Sequence, residues 1–340
     1  MMKIGIFGSG SWGTALSMIL HSKGYSIHLW SNDQAEADKI KKTRRLLHKL
    51  ADVQIPESIQ VTANARDFIE EADLLVVAIP SKFIRSFAES MAPHLSGKRK
   101  IVVSATKGIE ASSLKTMSEI LEETWLHANS TVEGIIALSG PSHAEEVATG
   151  MPTAVVAAHA KITLAEEVQD IFSTSRFRVY ANDDPKGVEI GAAMKNVLAI
   201  AVGISDGLGY GDNARAALIS RGLYELSLAG CHMGAKQETF SGLSGLGDLV
   251  VTCTSRHSRN RRFGELIAKG YKMEEAEEEI GMVVEGITTV KAVPDIKKRY
   301  NIELPISEEV HAILFNGTDP LEAVQHLMMR ETKTEKMNTP

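Results

Sequence analysis

The sequence predicts an α/β fold, a doubly wound parallel sheet in the N-terminal half joined to an all-α C-terminal half, and three observations carry that expectation. A glycine-rich turn near the N-terminus separates an apolar run from a stretch of helical periodicity. Short continuous Val/Ile/Leu runs then alternate with helical patterns up to about residue 180. Beyond Lys186 the strand signal ends while helical periodicity continues. Continuous apolar runs mark strands covered on both faces, which a parallel sheet with helical crossovers provides. At 340 residues the chain exceeds what one hydrophobic core usually serves, so two domains are expected, 1–186 and 187–340.

The first element is the run Ile4-Gly5-Ile6-Phe7, followed by Gly8-Ser9-Gly10-Ser11-Trp12-Gly13 and an apolar-periodic helix over residues 14–20. Gly8 lets the chain turn tightly, Gly10 lets backbone N–H groups come up against a pyrophosphate, and Gly13 lets the helix pack close to the strand it left. The helix N-terminus presents unpaired N–H donors and the positive end of its dipole to a doubly negative ligand. A GxGxxG alone is weak; with a strand before it and a helix after it, it reads as the dinucleotide turn of a Rossmann domain. Residues 25–30 read as the second strand, 34 to about 50 as a charged helix, and 59–62, 74–79 and 101–104 as further strands. Residues 135–139, 153–158 and 177–180 complete the sheet.

A helix over 187–204 leads into the second half. The apolar stretch 188–204 is interrupted by Glu189 and Lys195 and reads as a buried helix, not a membrane span. The last ten residues, 331–340, are polar and expected to fray.

Composition excludes several function classes. The 44% apolar and 24% charged content is that of an ordinary soluble globular protein. A formal net charge of -6 argues against nucleic acid or an anionic membrane as a partner. Cys231 and Cys253 form no CxxC or framework spacing, which suits a reducing cytoplasm. The first strand begins almost at Met1, leaving no room for a signal peptide. No HExxH and no Cys/His cluster is present, so no metal is expected.

Ligands bind at the carboxyl ends of parallel strands, so residues following each strand are the ones to question. Lys107 follows the 101–104 strand. Ser139-Gly140-Pro141-Ser142-His143-Ala144-Glu145 follows the 135–139 strand, with Ser142 and Glu145 at capping-box spacing. In the helical half, Lys195-Asn196 lies in an otherwise almost wholly apolar helix. A lysine there loses hydration and its pKa falls toward neutrality, as a general acid/base requires, unless it snorkels to the surface along its stem.

The stretch Phe240-Ser241-Gly242-Leu243-Ser244-Gly245-Leu246-Gly247-Asp248 has the glycine density to form an N–H-lined concavity with Asp248 at its rim. Behind it, residues 254–262 form the most basic cluster, whose arginine forks fit phosphate oxygens bidentately. A solvated face, a structural salt-bridge cluster and a nucleic-acid patch compete with that reading. The nucleic-acid patch lacks spread cations and aromatic platforms. A small phosphorylated substrate or the cofactor phosphates are favoured.

These blocks, together with Ser104 to Ile109, Leu138 to Val147 and Val283-Val284-Glu285-Gly286, resemble the bacterial NAD(P)-dependent glycerol-3-phosphate dehydrogenases, in order and over nearly the whole chain. The resemblance implies reversible reduction of dihydroxyacetone phosphate to sn-glycerol 3-phosphate for phospholipid synthesis. It also implies a homodimer whose helical half binds substrate and dimerises. On the matching positions, Lys195 donates and accepts the proton. Lys107, Gly140, Ser142, Lys195, Asp248, Ser258, Arg259 and Asn260 hold the substrate. Ser11, Trp12, Lys107, Ala144, Arg259, Val283 and Glu285 touch the dinucleotide, beside Gly8, Gly10 and Gly13.

The chain departs from the family pattern after its second strand, at Ser31-Asn32-Asp33. A basic residue near Asn32 would help hold the 2′-phosphate of NADP, whereas Asp33 favours a ribose hydroxyl, as an acidic residue there does in NAD binders. The basic segment 39–49 is the other candidate to reach a phosphate, so NAD and NADP both stay open. A 3-hydroxy acid dehydrogenase also pairs a Rossmann domain with a helical one, but its Lys and Asn are several residues apart, whereas here they are adjacent. In a non-catalytic NAD(P)-binding regulator, Lys195 would merely pack.

Overall fold

The computed structural model describes residues 1–46, 50, 53–126, 131–332 and 334–335. Part of the expected second helix and its basic segment, 47–49, and residues 333 and 336–340 of the expected frayed terminus lie outside the described residues. The chain divides into two compact units, residues 1–106 with 117–185, and 107–116 with 186–340. A single cut after residue 186 does not describe this division. The segment 107–116 joins the second unit because Ile109 and Leu114 are buried in its helical core.

In the first unit the strands are β1 (Lys3–Phe7), β2 (Ser26–Trp30), β3 (Gln60–Thr62), β4 (Leu74–Val77), β5 (Lys100–Ser104), β6 (Val132–Ser139), β7 (Thr153–Ala158) and β8 (Phe177–Asn182). They form one sheet in the order β3-β2-β1-β4-β5-β6-β7-β8. β1 pairs in parallel with β2 on one side and β4 on the other, so the winding reverses at β1 and puts the topological switch point between β1 and β4. Alternate residues go to opposite faces: Leu74, Val76, Ile101 and Val103 join one core, while Leu75, Val77 and Val102 join the other. Both faces are therefore covered, as the uninterrupted apolar runs require.

The helices of this unit are α1 (Ser11–Ser22), α2 (Gln34–Thr43), α3 (Ile84–Met91), α4 (Met117–Leu121), α5 (Ala144–Ala148) and α6 (Ile162–Phe172). Two features differ from expectation. β6 and β7 are antiparallel, because the five-residue α5 between them is too short to carry the chain back along the strands as a crossover must. α2 stops at Thr43, where Arg44 turns left-handed with φ 53° and closes the helix.

The second unit is helical: α7 (Pro185–Gly207), α8 (Asp212–His232), α9 (Gln237–Phe240), α10 (Asp248–Thr254), α11 (Arg259–Ala268), α12 (Met273–Ile280), α13 (Glu285–Tyr300), α14 (Pro305–His311) and α15 (Pro320–Met328). α7 is long and apolar enough to cross a membrane by length and composition, but its apolar window is wholly buried. It is the central element of this unit, with Ile190, Met194, Val197 and Ile200 in a core shared with Leu226, Phe240, Phe263 and Val290. An all-round apolar helix is what such a position requires.

Candidate active site

In the first unit, the turn between β1 and α1 uses its three glycines differently. Gly8 has φ +115°, and a Cβ there would lie 2.4 Å from the Ala78 carbonyl oxygen at the end of β4. A Cβ on Gly13 would lie 1.9 Å from the Gly8 carbonyl oxygen. Both glycines are demanded by the fold itself. A Cβ on Gly10 would meet nothing within 4 Å, so Gly10 leaves open space in front of the helix.

Gly10 is also the N-cap of α1 and offers no side-chain acceptor to its first N–H groups. The Trp12 indole N–H is buried and has no acceptor among the described residues. Uncapped donors around a glycine-cleared space fit an acceptor-rich anion, and so fit the pyrophosphate of a dinucleotide.

At the end of β2, Asn32 is exposed. Asp33 caps α2, its Oδ1 accepting from the Ala35 N–H at 2.7 Å and the Glu36 N–H at 3.4 Å. The acidic side chain that reaches the glycine turn is instead Glu36, whose Oε2 accepts from the Ser9 hydroxyl at 2.9 Å and the Ser31 hydroxyl at 2.7 Å.

After β6, Gly140 has φ +145°, and a Cβ there would lie 2.9 Å from the Val155 Cα, so this glycine is required by β7 passing alongside. The expected capping box does not form. The N-cap of α5 is His143, Ala144 is the first helical residue, and the Ser142 hydroxyl donates to the Gly140 carbonyl at 3.1 Å.

In the second unit, Lys107, Lys195 and Asp248 converge. The Asp248 carboxylate is 1% exposed and bridges two ammonium groups. Lys107 Nζ lies 2.8 Å from Oδ2, and Lys195 Nζ donates to Oδ1. Lys195 Nζ also donates to the Thr252 hydroxyl at 2.7 Å, and that hydroxyl donates to the Asp248 carbonyl at 2.6 Å. Burial drives the Lys195 amine down from 10.5 to about 7; the Asp248 charge pulls it back up, and the neighbouring Lys107 charge adds to the fall. For Asp248, burial works to raise the carboxyl, but Lys107 and Lys195 outweigh it and hold the group below the ordinary carboxylate range.

Asp248 thus sits at the centre of the cluster and not at the rim of a concavity. The glycines before it serve packing: a Cβ on Gly191 of α7 would lie 2.6 Å from the Ser244 carbonyl oxygen.

A second group lies at the start of α11. Ser258 is its N-cap, accepting from the Arg261 N–H at 3.2 Å. Arg259 is exposed, and its guanidinium donates to the Val283 carbonyl at 3.0 Å. Asn260 is buried, donates to the Asn196 side-chain oxygen at 2.9 Å and accepts the Gly286 N–H at 2.9 Å, beside Glu285 at the start of α13. Asn260 therefore ties α7, α11 and α13 together.

The rest of the basic cluster is structural in part: Arg261 pairs with Asp206 at 2.7 Å and Glu265 at 2.8 Å, and Arg262 with Glu279 at 3.0 Å. Sequence reasoning missed Thr252 and Glu36. Thr252 had a findable signal, its position four residues after Asp248 on one helix face. Glu36 had none, because its partners are fixed by the β1–β2 pairing.

Comparison with known proteins finds matches over both units. The family model described as NAD-dependent glycerol-3-phosphate dehydrogenase N-terminus matches residues 3–165, and that described as its C-terminus matches 184–325. Glycerol-3-phosphate dehydrogenase (NAD(P)+) of Fusobacterium nucleatum is 48% identical over 336 residues, covering 98% of this chain and 99% of that one. The Bacillus subtilis protein of the same name is 46% identical over 338 residues, covering 99% and 96%. The crystal structure of glycerol-3-phosphate dehydrogenase from Coxiella burnetii superposes with a TM-score of 0.91 at 38% identity, covering 97% of this chain and 99% of that chain.

Proposed function

The chain belongs to the NAD-dependent glycerol-3-phosphate dehydrogenase family, and from that premise we propose that Lys195 is the proton donor and acceptor in its interconversion of dihydroxyacetone phosphate and sn-glycerol 3-phosphate. It is an NAD(P)-dependent oxidoreductase acting on a small phosphorylated substrate. Bound reduced nicotinamide supplies the hydride and leaves the proton to be delivered by a protein group. Lys195 is suited to that delivery, because an amine held near neutrality exchanges its proton readily in either direction. Protonated, it gives the proton to the forming alkoxide oxygen; neutral, it takes the hydroxyl proton in reverse. Asp248 and Thr252 fix the amine's position, and Lys107 holds the far oxygen of Asp248.

The remaining residues take roles set by their chemistry. Gly8, Gly10, Ser11, Trp12 and Gly13 would hold the dinucleotide phosphates on the uncapped start of α1, with Asn32 and Ala144 as further contacts in that unit. Gly140 and Ser142 would contribute to the substrate. Arg259, Ser258 and Asn260, at the start of α11, would anchor the substrate phosphate, and binding energy gained there aligns the reacting carbonyl. Arg259 also joins Val283, Glu285 and Lys107 as a dinucleotide contact.

On the same reading the enzyme is cytoplasmic, supplies the glycerophosphate backbone of phospholipids, and works as a homodimer. Leu218, Ile219, Leu223 and Leu228 on α8 are only partly buried within one chain, apolar surface that a second copy would cover.

The observation that carries the proposal is the buried Lys195–Asp248–Thr252 cluster in a chain of this family. Oxidation of NADH and of NADPH, followed by absorbance with dihydroxyacetone phosphate and with 3-oxo acids, tests it. Turnover with the phosphorylated ketone is expected. Turnover only with the 3-oxo acids, or with none, overturns it.

A further inference from the structure

We infer that Glu36 selects NAD over NADP, its carboxylate accepting from a ribose 2′-hydroxyl and repelling a 2′-phosphate. This inference rests on the dinucleotide reading of the β1–α1 turn. In sheets of this topology an acidic side chain beyond the second strand hydrogen-bonds the ribose and excludes the phosphorylated form. The sequence rule points to Asp33, but Asp33 Oδ1 accepts from the Ala35 and Glu36 N–H groups as the cap of α2, whereas the Glu36 carboxylate is the one tied to the glycine turn. Glu36 stands in its place. It is half-buried one turn into α2, and its Oε2 is gripped by two hydroxyls from different strand ends.

Those hydroxyls belong to Ser9, inside the glycine turn after β1, and Ser31, immediately after β2, which are 4% and 1% exposed. The carboxylate is thus fixed at the carboxyl ends of β1 and β2, where the adenosine half of a dinucleotide lies in this class of sheet. A phosphate carrying nearly two negative charges beside it would be opposed by like charge. The residues that follow β2 directly, Ser31-Asn32-Asp33, include no cation to offset that repulsion. The basic residues Lys41 and Lys42 lie in the last turn of α2, and Lys41 already faces Asp38 at 3.8 Å.

Calorimetric titration of the intact protein with NADH and with NADPH tests the inference on binding alone. The natural chain should bind NADH at least about tenfold more tightly, one charge-repulsion step in affinity. Glu36→Gln keeps an amide oxygen for Ser9 and Ser31, so the fold is retained while the charge goes. It should gain about tenfold or more for NADPH and collapse the preference. Asp33→Asn keeps the cap of α2 and should leave the preference within about twofold. Glu36→Ala serves as a second variant, and its thermal midpoint reports folding independently.

Equal binding of the two dinucleotides by the natural chain, an unchanged preference in both Glu36 variants, or collapse of the preference in Asp33→Asn would each overturn the role of Glu36. Binding of neither dinucleotide would bring down the reading of the turn itself, together with this inference.

Discussion

The glycine turn of the first unit and the lysine cluster of the second are built by opposite means. The turn is six consecutive residues whose useful features are backbone donors and missing side chains. The cluster is made of side chains far apart in the chain: Lys107 and Asp248 are separated by 141 residues, Lys195 and Asp248 by 53. A site of missing atoms is damaged by adding them. A site of balanced buried charges is damaged by removing any one, because the others are then left desolvated without compensation. Substitutions should therefore separate the two regions by what they break.

The largest effect is expected in the cluster. Lys195→Ala should lower kcat by about 10²- to 10⁴-fold, the range of a lost general acid/base, while dinucleotide affinity measured by titration stays unchanged. Activity within a factor of a few of the natural enzyme would move the proton transfer elsewhere. Asp248→Ala should act on the fold as well as on the rate. It strands two ammonium groups, one of them buried, and should lower unfolding stability in urea by about 3–5 kcal/mol. A loss below about 1 kcal/mol would mean that water already reaches the cluster.

A step smaller is Arg259→Ala. Removing a charge-assisted phosphate contact should weaken ketone binding by about 1.5–3 kcal/mol, read as a KM raised about tenfold or more, with little change in stability, since the guanidinium is exposed. An unchanged KM would confine that side chain to its bond with the Val283 carbonyl.

In the turn, two glycines three residues apart should fail differently. Gly13→Ala drives a methyl into the Gly8 carbonyl and should destabilise the protein by about 1–3 kcal/mol. Gly10→Val enters open space, so the thermal midpoint should hold while dinucleotide binding is lost. If Gly10→Val unfolds the protein, or binds NADH normally, the cleared space is not a ligand approach.

The same contrast explains what could be read from the sequence. The strands, the turn and α7 were legible because each is specified by its own neighbours, through continuous apolar runs, three spaced glycines and one long apolar stretch. The antiparallel β6–β7 pair was not, because strand direction depends on how far the short α5 carries the chain. Nor was the reach of residues 107–116 into the helical unit, which follows from where Ile109 and Leu114 find apolar cover. In the site, Lys195 stood out by being charged among apolar residues. Its ties to Thr252 and Asp248, and the tie of Glu36 to Ser9 and Ser31, are long-range pairings that local pattern does not encode. Asp33 shows the converse, since a cap is a local use that competes with a ligand for one carboxylate.

The effect that most sharply divides the two regions is in pH. The Lys195 amine titrates at about 7 in the folded protein against 10.5 ordinarily. Ketone reduction needs the protonated form, so kcat/KM in that direction should be level below about 7 and fall toward tenfold per pH unit above it. In the alcohol-oxidation direction the limb should invert. Stability carries the opposite signature: between about 7 and 10.5 the unfolded chain holds the proton that the folded chain has released. The Lys195 contribution therefore rises with pH through that window by up to about 1.4 kcal/mol per unit, and is constant below it. Residues 8–13 contain no titratable side chain, so the turn's own share of NADH affinity should stay flat over the same range. A rate limb near neutrality that tracks NADH affinity instead of turnover would assign the titration to the turn's ligand and remove Lys195 from the proton transfer.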